Sequence, residues 1–243
     1  MLKIENWEVL GWEHAIRGMR NPMNSWEKSD SGWEPQFDTA QGPVAGEFVI
    51  GPNDYALMKS LRNAGTDHRK FMRMITVYLD ITAPFYWWKE FDTYKVGTVA
   101  NSCSTMHKIH AKEFDVNDFS HEHIEELDSD EYNMSYDWLL RTVDILNYYR
   151  KKYNAASEKL KRDITDAERK HVLAQQKLFW WQMIQLLPTS YNQKRTVMLN
   201  YEVLANIYKS RCNHKLDEWH TFCDWIEELP YSELITGKEY DVE

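Results

Sequence analysis

The stretch from about residue 133 to 187 constrains the fold more than any other. It holds two long runs at helical spacing: MSYDWLLRTVDILNYYRKKYNAASEKLK, and a second that opens at Thr165-Asp-Ala-Glu168 and runs into LFWWQMIQLL. Thr165 and Glu168 stand three apart, the spacing at which each side chain satisfies the other's free backbone amide, so the start of the second helix is marked. LFWWQMIQLL is apolar nearly all round, which predicts that this helix is buried. Upstream, NDYALMKSLRNAG (53 to 65) has helical spacing with Gly65 as its stop, and MITVYLDITAP (74 to 84) is β-branched and aromatic, which reads as a strand ending at Pro84. A short aromatic helix, FYWWKEFDTYK, follows, then the β-leaning VGTVANSCSTM (96 to 106). Residues 107 to 132 read as an exposed connection with short helical pieces. No linker argues for a split, so a single domain over 1–243 is expected, with 1–50 of unclear role and 133–187 as its helical part.

Composition excludes several function classes. With 43% hydrophobic residues in 243, the chain can bury a real core. A net charge of −9 argues against a nucleic-acid surface, which needs clustered Lys and Arg. The amino-terminal MLKIENWEVLGWEH lacks the apolar run of a signal peptide, and no stretch approaches membrane-spanning length, so a cytoplasmic location without membrane contact is expected. Cys103, Cys212 and Cys223 lack CxxC spacing and read as free thiols.

Four features offer chemistry. His107, His110, His121 and His123, with Glu113, have weak metal-ligand spacings in an acidic loop and read first as solvated surface; no metal ligand is assigned. Trp87-Trp88 and Trp180-Trp181 could stack on a ring but suit a core or a subunit interface. ANSCS supplies Asn101, Ser102 and Ser104, short polar side chains that suit a phosphate, a ring edge or a turn. Finally, LLPTSYNQKRTVMLNYEVLANIYKSR (186 to 211) reads as helix-like, yet carries Asn200 and Asn206. Asn is a poor helix former, so these amides suggest a specific partner, with Arg211 projecting into the same cavity.

The order and spacing of these pieces resemble the flavin-dependent thymidylate synthase family over roughly residues 51 to 225. Leu187-Pro188, Asn200, Asn206 and Arg211 match that family's Leu-Pro, Asn, Asn and Arg without a gap. His68 stands in the family's histidine place, and Ala83-Pro84 in that of its Ala-Pro. The signature RHRxxSxNExSxR falls on TYKVGTVANSCSTM with one extra residue, Lys95 standing for the last Arg of RHR, Asn101 for the Asn and Ser104 for the second Ser. The departures are Thr93 and Tyr94 for the first Arg and His, Ser102 for the Glu, and Met106 for the phosphate-gripping Arg. Ile184 and Glu202 also stand where the family has arginines.

What the resemblance implies is an α+β fold, an antiparallel sheet flanked by helices with a long helical segment, assembled as a homotetramer with sites between subunits. It implies FAD as cofactor, NADPH and methylenetetrahydrofolate as co-substrates, and reductive methylation of dUMP to dTMP without a cysteine nucleophile. By resemblance, Arg211 is the catalytic residue and contacts the pyrimidine, Ser104 contacts the nucleotide phosphate, and His68, Lys95, Asn101, Asn200 and Asn206 contact FAD. The alternative is a catalytically inactive relative that binds a nucleotide or flavin as a binding or regulatory protein. Charge-assisted phosphate contacts contribute about 1.5–3 kcal/mol each, so two lost arginines weaken nucleotide binding by about a hundredfold unless other cations replace them.

Overall fold

The computed structural model describes residues 2–38, 42–125 and 134–238. The first third of the chain holds β1 (Lys3–Leu10), α1 (Trp12–Arg20), β2 (Gly32–Asp38), β3 (Gly42–Val49) and α2 (Pro52–Asn63). Next come β4 (Thr76–Pro84), α3 (Phe85–Phe91), β5 (Val99–Ser102), α4 (Thr105–Lys108), α5 (Glu122–Glu125), α6 (Met134–Leu160) and α7 (Asp166–Leu186). The chain closes with β6 (Asn192–Asn200), α8 (Tyr201–Arg211), α9 (Asp217–Glu227) and α10 (Glu233–Thr236). This is an α+β fold whose antiparallel sheet, in the order β1-β4-β6-β5, is flanked by helices. β2 and β3 form a separate antiparallel hairpin that pairs Trp33 with Phe48. The expected helix at 53–65, strand at 74–84 and aromatic helix after Pro84 are α2, β4 and α3. Part of the 107–132 connection, residues 126–132, lies outside the described residues.

By chain contacts the molecule divides into two compact units. Thr82–Glu90 and Asn101–Arg195 make up most of the first, whose frame is the antiparallel packing of α6 on α7. Phe114, Phe119, Leu139, Leu146 and Met183 form its buried centre. Thr165 caps α7 as its spacing predicts: its hydroxyl accepts from Glu168 N (3.3 Å), and Glu168 Oε2 accepts from Thr165 N (3.1 Å). Thr165→Ala should cost about 1 kcal/mol, read as a lower midpoint in urea at unchanged slope. The predicted burial of α7 does not hold: Leu178 is 60% exposed and Trp181 40%, and only Val172 and Met183 are buried. The helix packs along one side, and apolar residues on its other side face outward.

Most of Ile4–Ile81, with Phe91–Ala100 and Thr196–Glu243, forms the second unit. Val77, Leu79 and Ile81 alternate along β4 and are fully buried, as are Val197 and Leu199 on β6, so both strands face one core. That core is completed by Tyr201, Leu204 and Ile207 of α8 and by Trp219, Phe222 and Ile226 of α9. Elsewhere in the unit a charge pair is buried: Arg20 Nε donates to Asp54 Oδ1 at 2.6 Å, and Ser29 and Ser31 hydroxyls donate to Asp54 Oδ2 at 2.6 and 2.7 Å.

Candidate functional site

Helix α8 carries two of the predicted residues and is capped by a third, and its inner face explains why it is held firmly. Tyr201, Val203, Leu204 and Ile207 are buried, and Tyr201 N donates to Ile75 O (3.1 Å), tying the helix start to the residue preceding β4. Residues 186 to 211 are not one helix: Pro188 stands two residues past α7, β6 follows, and Asn200 marks the boundary. Asn200 has an extended backbone and caps α8, its Oδ1 accepting from Val203 N at 3.0 Å. The presence of Asn there has a local cause, since Asn is among the favoured N-cap residues. Gly97 passes close by with φ +78, and a Cβ on it would lie 2.9 Å from Asn200 Nδ2. A glycine is therefore needed for both reasons.

Asn206 lies on the exposed face of α8. Its Oδ1 accepts from Arg69 Nη2 at 3.4 Å, and Arg69 Nε lies 2.9 Å from Glu202 Oε2, an ion pair not aligned as a hydrogen bond. Exposed His68 immediately precedes Arg69 at the start of the turn Arg69–Arg73. Arg69 escaped the sequence reading; the cationic run HRKFMR around His68 was the available signal.

Arg211 ends α8. Its Nε donates to Tyr94 Oη at 3.0 Å, and its guanidinium lies 4.9 Å from the ring centroid of fully buried Trp219. A guanidinium set on an aromatic floor and tied by a hydroxyl is held in one orientation, the condition for electrostatic stabilisation of charge developing on a bound ring. Lys95, next to Tyr94, lines a cavity of about 300 Å³ with Phe91, Asp92, Thr98 and Ala100. Thr98 Oγ1 is buried without a hydrogen-bond partner among the described residues. Buried hydroxyls are nearly always paired, so this one fits a ligand's polar group.

His68, Lys95, Asn200, Asn206 and Arg211 thus belong to the second unit, with two of them on α8, Asn200 capping it and the other two next to residues that bond α8. Asn101 and Ser104 belong to the first. Asn101 is exposed at β5, and Ser104 caps α4, its hydroxyl accepting from His107 N at 3.1 Å. Met106, where the resembling family has an arginine, is half exposed, and its carbonyl accepts from Trp180 Nε1 at 2.9 Å. Among the described residues, no group of histidine, cysteine or carboxylate side chains is arranged to hold a metal. His110 packs against Tyr153, ring centroids 4.5 Å apart and tilted by 37°, and His121 Nδ1 contacts Phe119 O at 2.8 Å. All three cysteines are free thiols, and burial pushes Cys223 up to about 12, far from nucleophilic.

Comparison with known proteins places the fold. No family model and no curated protein matches the chain. Solved structures do. A thymidylate synthase X from Helicobacter pylori with FAD and dUMP is 14% identical, with a TM-score of 0.57 over 97% of each chain. A second structure, of the flavin-dependent thymidylate synthase from Helicobacter pylori complexed with FAD and dUMP, is 15% identical, with a TM-score of 0.54 over 97% of this chain and 96% of that one. The likeness is one of fold along nearly the whole length.

Proposed function

We propose that this chain binds FAD and a deoxyuridine nucleotide and carries out the reductive methylation of dUMP to dTMP, with NADPH and methylenetetrahydrofolate as co-substrates. The observation that carries the reading is the fixed guanidinium of Arg211 on Trp219, on the same helix as Asn206 and the helix that Asn200 caps, within a fold shared with flavin-dependent thymidylate synthases. Arg211 favours negative charge on the oxygens of the pyrimidine. Asn206, the Thr98 hydroxyl and the His68 imidazole offer hydrogen-bonding groups to flavin, and Lys95 offers a cationic donor. Asn200 holds the start of α8. When bound, reduced FAD supplies the hydride.

The apolar side chains that α6 and α7 leave uncovered, among them Trp138 at 71% and Leu178 at 60% exposure, suit subunit contacts of a homotetramer. A second reading, binding of nucleotide or flavin without turnover, is favoured by one observation. The Glu202 carboxylate lies on Arg69 where the resembling family has a further arginine, so a cation beside Asn206 is neutralised. Under both readings Glu202→Gln frees Arg69 and should tighten FAD binding about tenfold, one charge-assisted contact's worth. Equilibrium dialysis against FAD checks this.

Absorbance between about 300 and 550 nm, before and after loading with FAD and removal of the unbound fraction, tests the flavin assignment. Flavin bands near one per chain support both readings. A colourless protein refutes the flavin assignment.

A further inference from the structure

A second cavity, of about 480 Å³, lies in the second unit where the end of β1 and the start of α1 meet the β2–β3 hairpin and Pro230-Tyr231. It shares no lining residue with the α8 site. Its walls are aromatic: Trp7, Trp12, Trp33, Phe48 and Tyr231. Trp33 meets Phe48 edge-on at 5.5 Å and 72°, and Trp12 meets Tyr231 at 5.2 Å and 67°, so ring faces turn in several directions. Trp33 is 64% exposed and Trp7 40%, a large apolar area for this chain to leave open in one place. Tyr231 is held at φ +53, a left-handed backbone that costs energy for any residue but glycine and that sets its ring between Trp12 and Tyr55.

The charge of the cavity has a definite sign. Glu13 and Glu47 line it, and no lysine or arginine does among the described residues. Glu13 Oε2 accepts from the Trp33 indole N–H at 3.3 Å, which keeps a carboxylate beside the ring. The start of α1 contributes about half a positive charge, and Arg17 reaches His14, a lining residue, at 3.3 Å. Arg17 is not itself a lining residue, and the full charge of the Glu13 carboxylate outweighs the helix end, which leaves the cavity negative. An anion is disfavoured there, and a bare divalent ion needs more oxygen ligands than two carboxylates provide. Aromatic faces with carboxylates beside them attract a cation that is itself partly apolar, and the volume is that of a small-molecule site.

We propose that this cavity is a binding site for a small organic cation of the quaternary-ammonium class, held by the faces of Trp7, Trp33 and their neighbours, with Glu13 as counter-charge. The proposal stands apart from the flavin and nucleotide reading. Calorimetric titration of the full chain with choline, and with its neutral isostere 3,3-dimethylbutan-1-ol, tests it. Choline should bind about tenfold tighter than the isostere, and Trp33→Ala and Glu13→Gln should each weaken choline about tenfold while leaving the far-UV spectrum and melting temperature near wild type. Both side chains are exposed, so neither change empties the core. Equal affinity for the two probes, absence of choline binding, or unchanged binding in both variants overturns it. So does sedimentation showing that Trp33→Ala dissociates an assembly, since the rings then belong to a contact with a second copy.

Discussion

Arg211→Ala is expected to lower the rate of dTMP formation by about 10² to 10³, the usual effect of removing one preorganised electrostatic contact. The fold should survive, because the guanidinium sits at the end of α8 and the buried face of that helix is made by Tyr201, Leu204 and Ile207. The contact over Trp219 contributes about 1 kcal/mol, a shift of only a few degrees in melting temperature. Arg211→Lys keeps the charge but not the planar, multi-donor guanidinium held by Tyr94 Oη, so it should recover little. If the protein binds dUMP without turnover, the same change appears in affinity alone. A variant with wild-type rate and wild-type dUMP affinity removes Arg211 from the site.

The largest expected effect on stability comes from Asp54. Arg20 and Asp54 are buried, and Asp54→Ala leaves the Arg20 guanidinium without its carboxylate, at a cost of about 3–5 kcal/mol. For a chain of this length that is a drop of about 10 °C in melting temperature. Burial pushes the Asp54 carboxyl up, but the hydroxyls of Ser29 and Ser31 and the Arg20 guanidinium outweigh it and hold the group below the usual aspartate value of about 3.9. A carboxylate lowered on folding stabilises the protein fully above its unfolded value, and that stabilisation is lost as the pH falls through the lower folded value. Urea midpoints should therefore fall below about pH 4 in the wild type. Asp54→Asn should start lower and lose less over the same range.

The parts legible in the sequence are those where local chemistry decides. The Thr165–Glu168 cap and the β-branched run of β4 needed no tertiary information. The exposure of Leu178 and Trp181 was not legible, because an apolar pattern states what avoids water and not which surface covers it. Residues 186 to 200 misled for a related reason: the apolar spacing in VMLNYEVLANIY continues across Asn200, where the chain changes from strand to helix. The predicted residues on α8 followed from spacing, which places Asn206 and Arg211 on a single helix. Arg69 was not found, since its relation to Asn206 joins positions 137 apart. Nor was the aromatic cavity, whose walls come from four separate segments.

The central claim is tested most directly by incubating the purified protein with FAD, NADPH, methylenetetrahydrofolate and dUMP and measuring dTMP by chromatography. The prediction is dTMP that requires all four additions and is abolished in Arg211→Ala. Retention of FAD with no dTMP formed contradicts the synthase reading and leaves a binding protein; failure to retain FAD also contradicts the synthase reading and leaves only nucleotide binding.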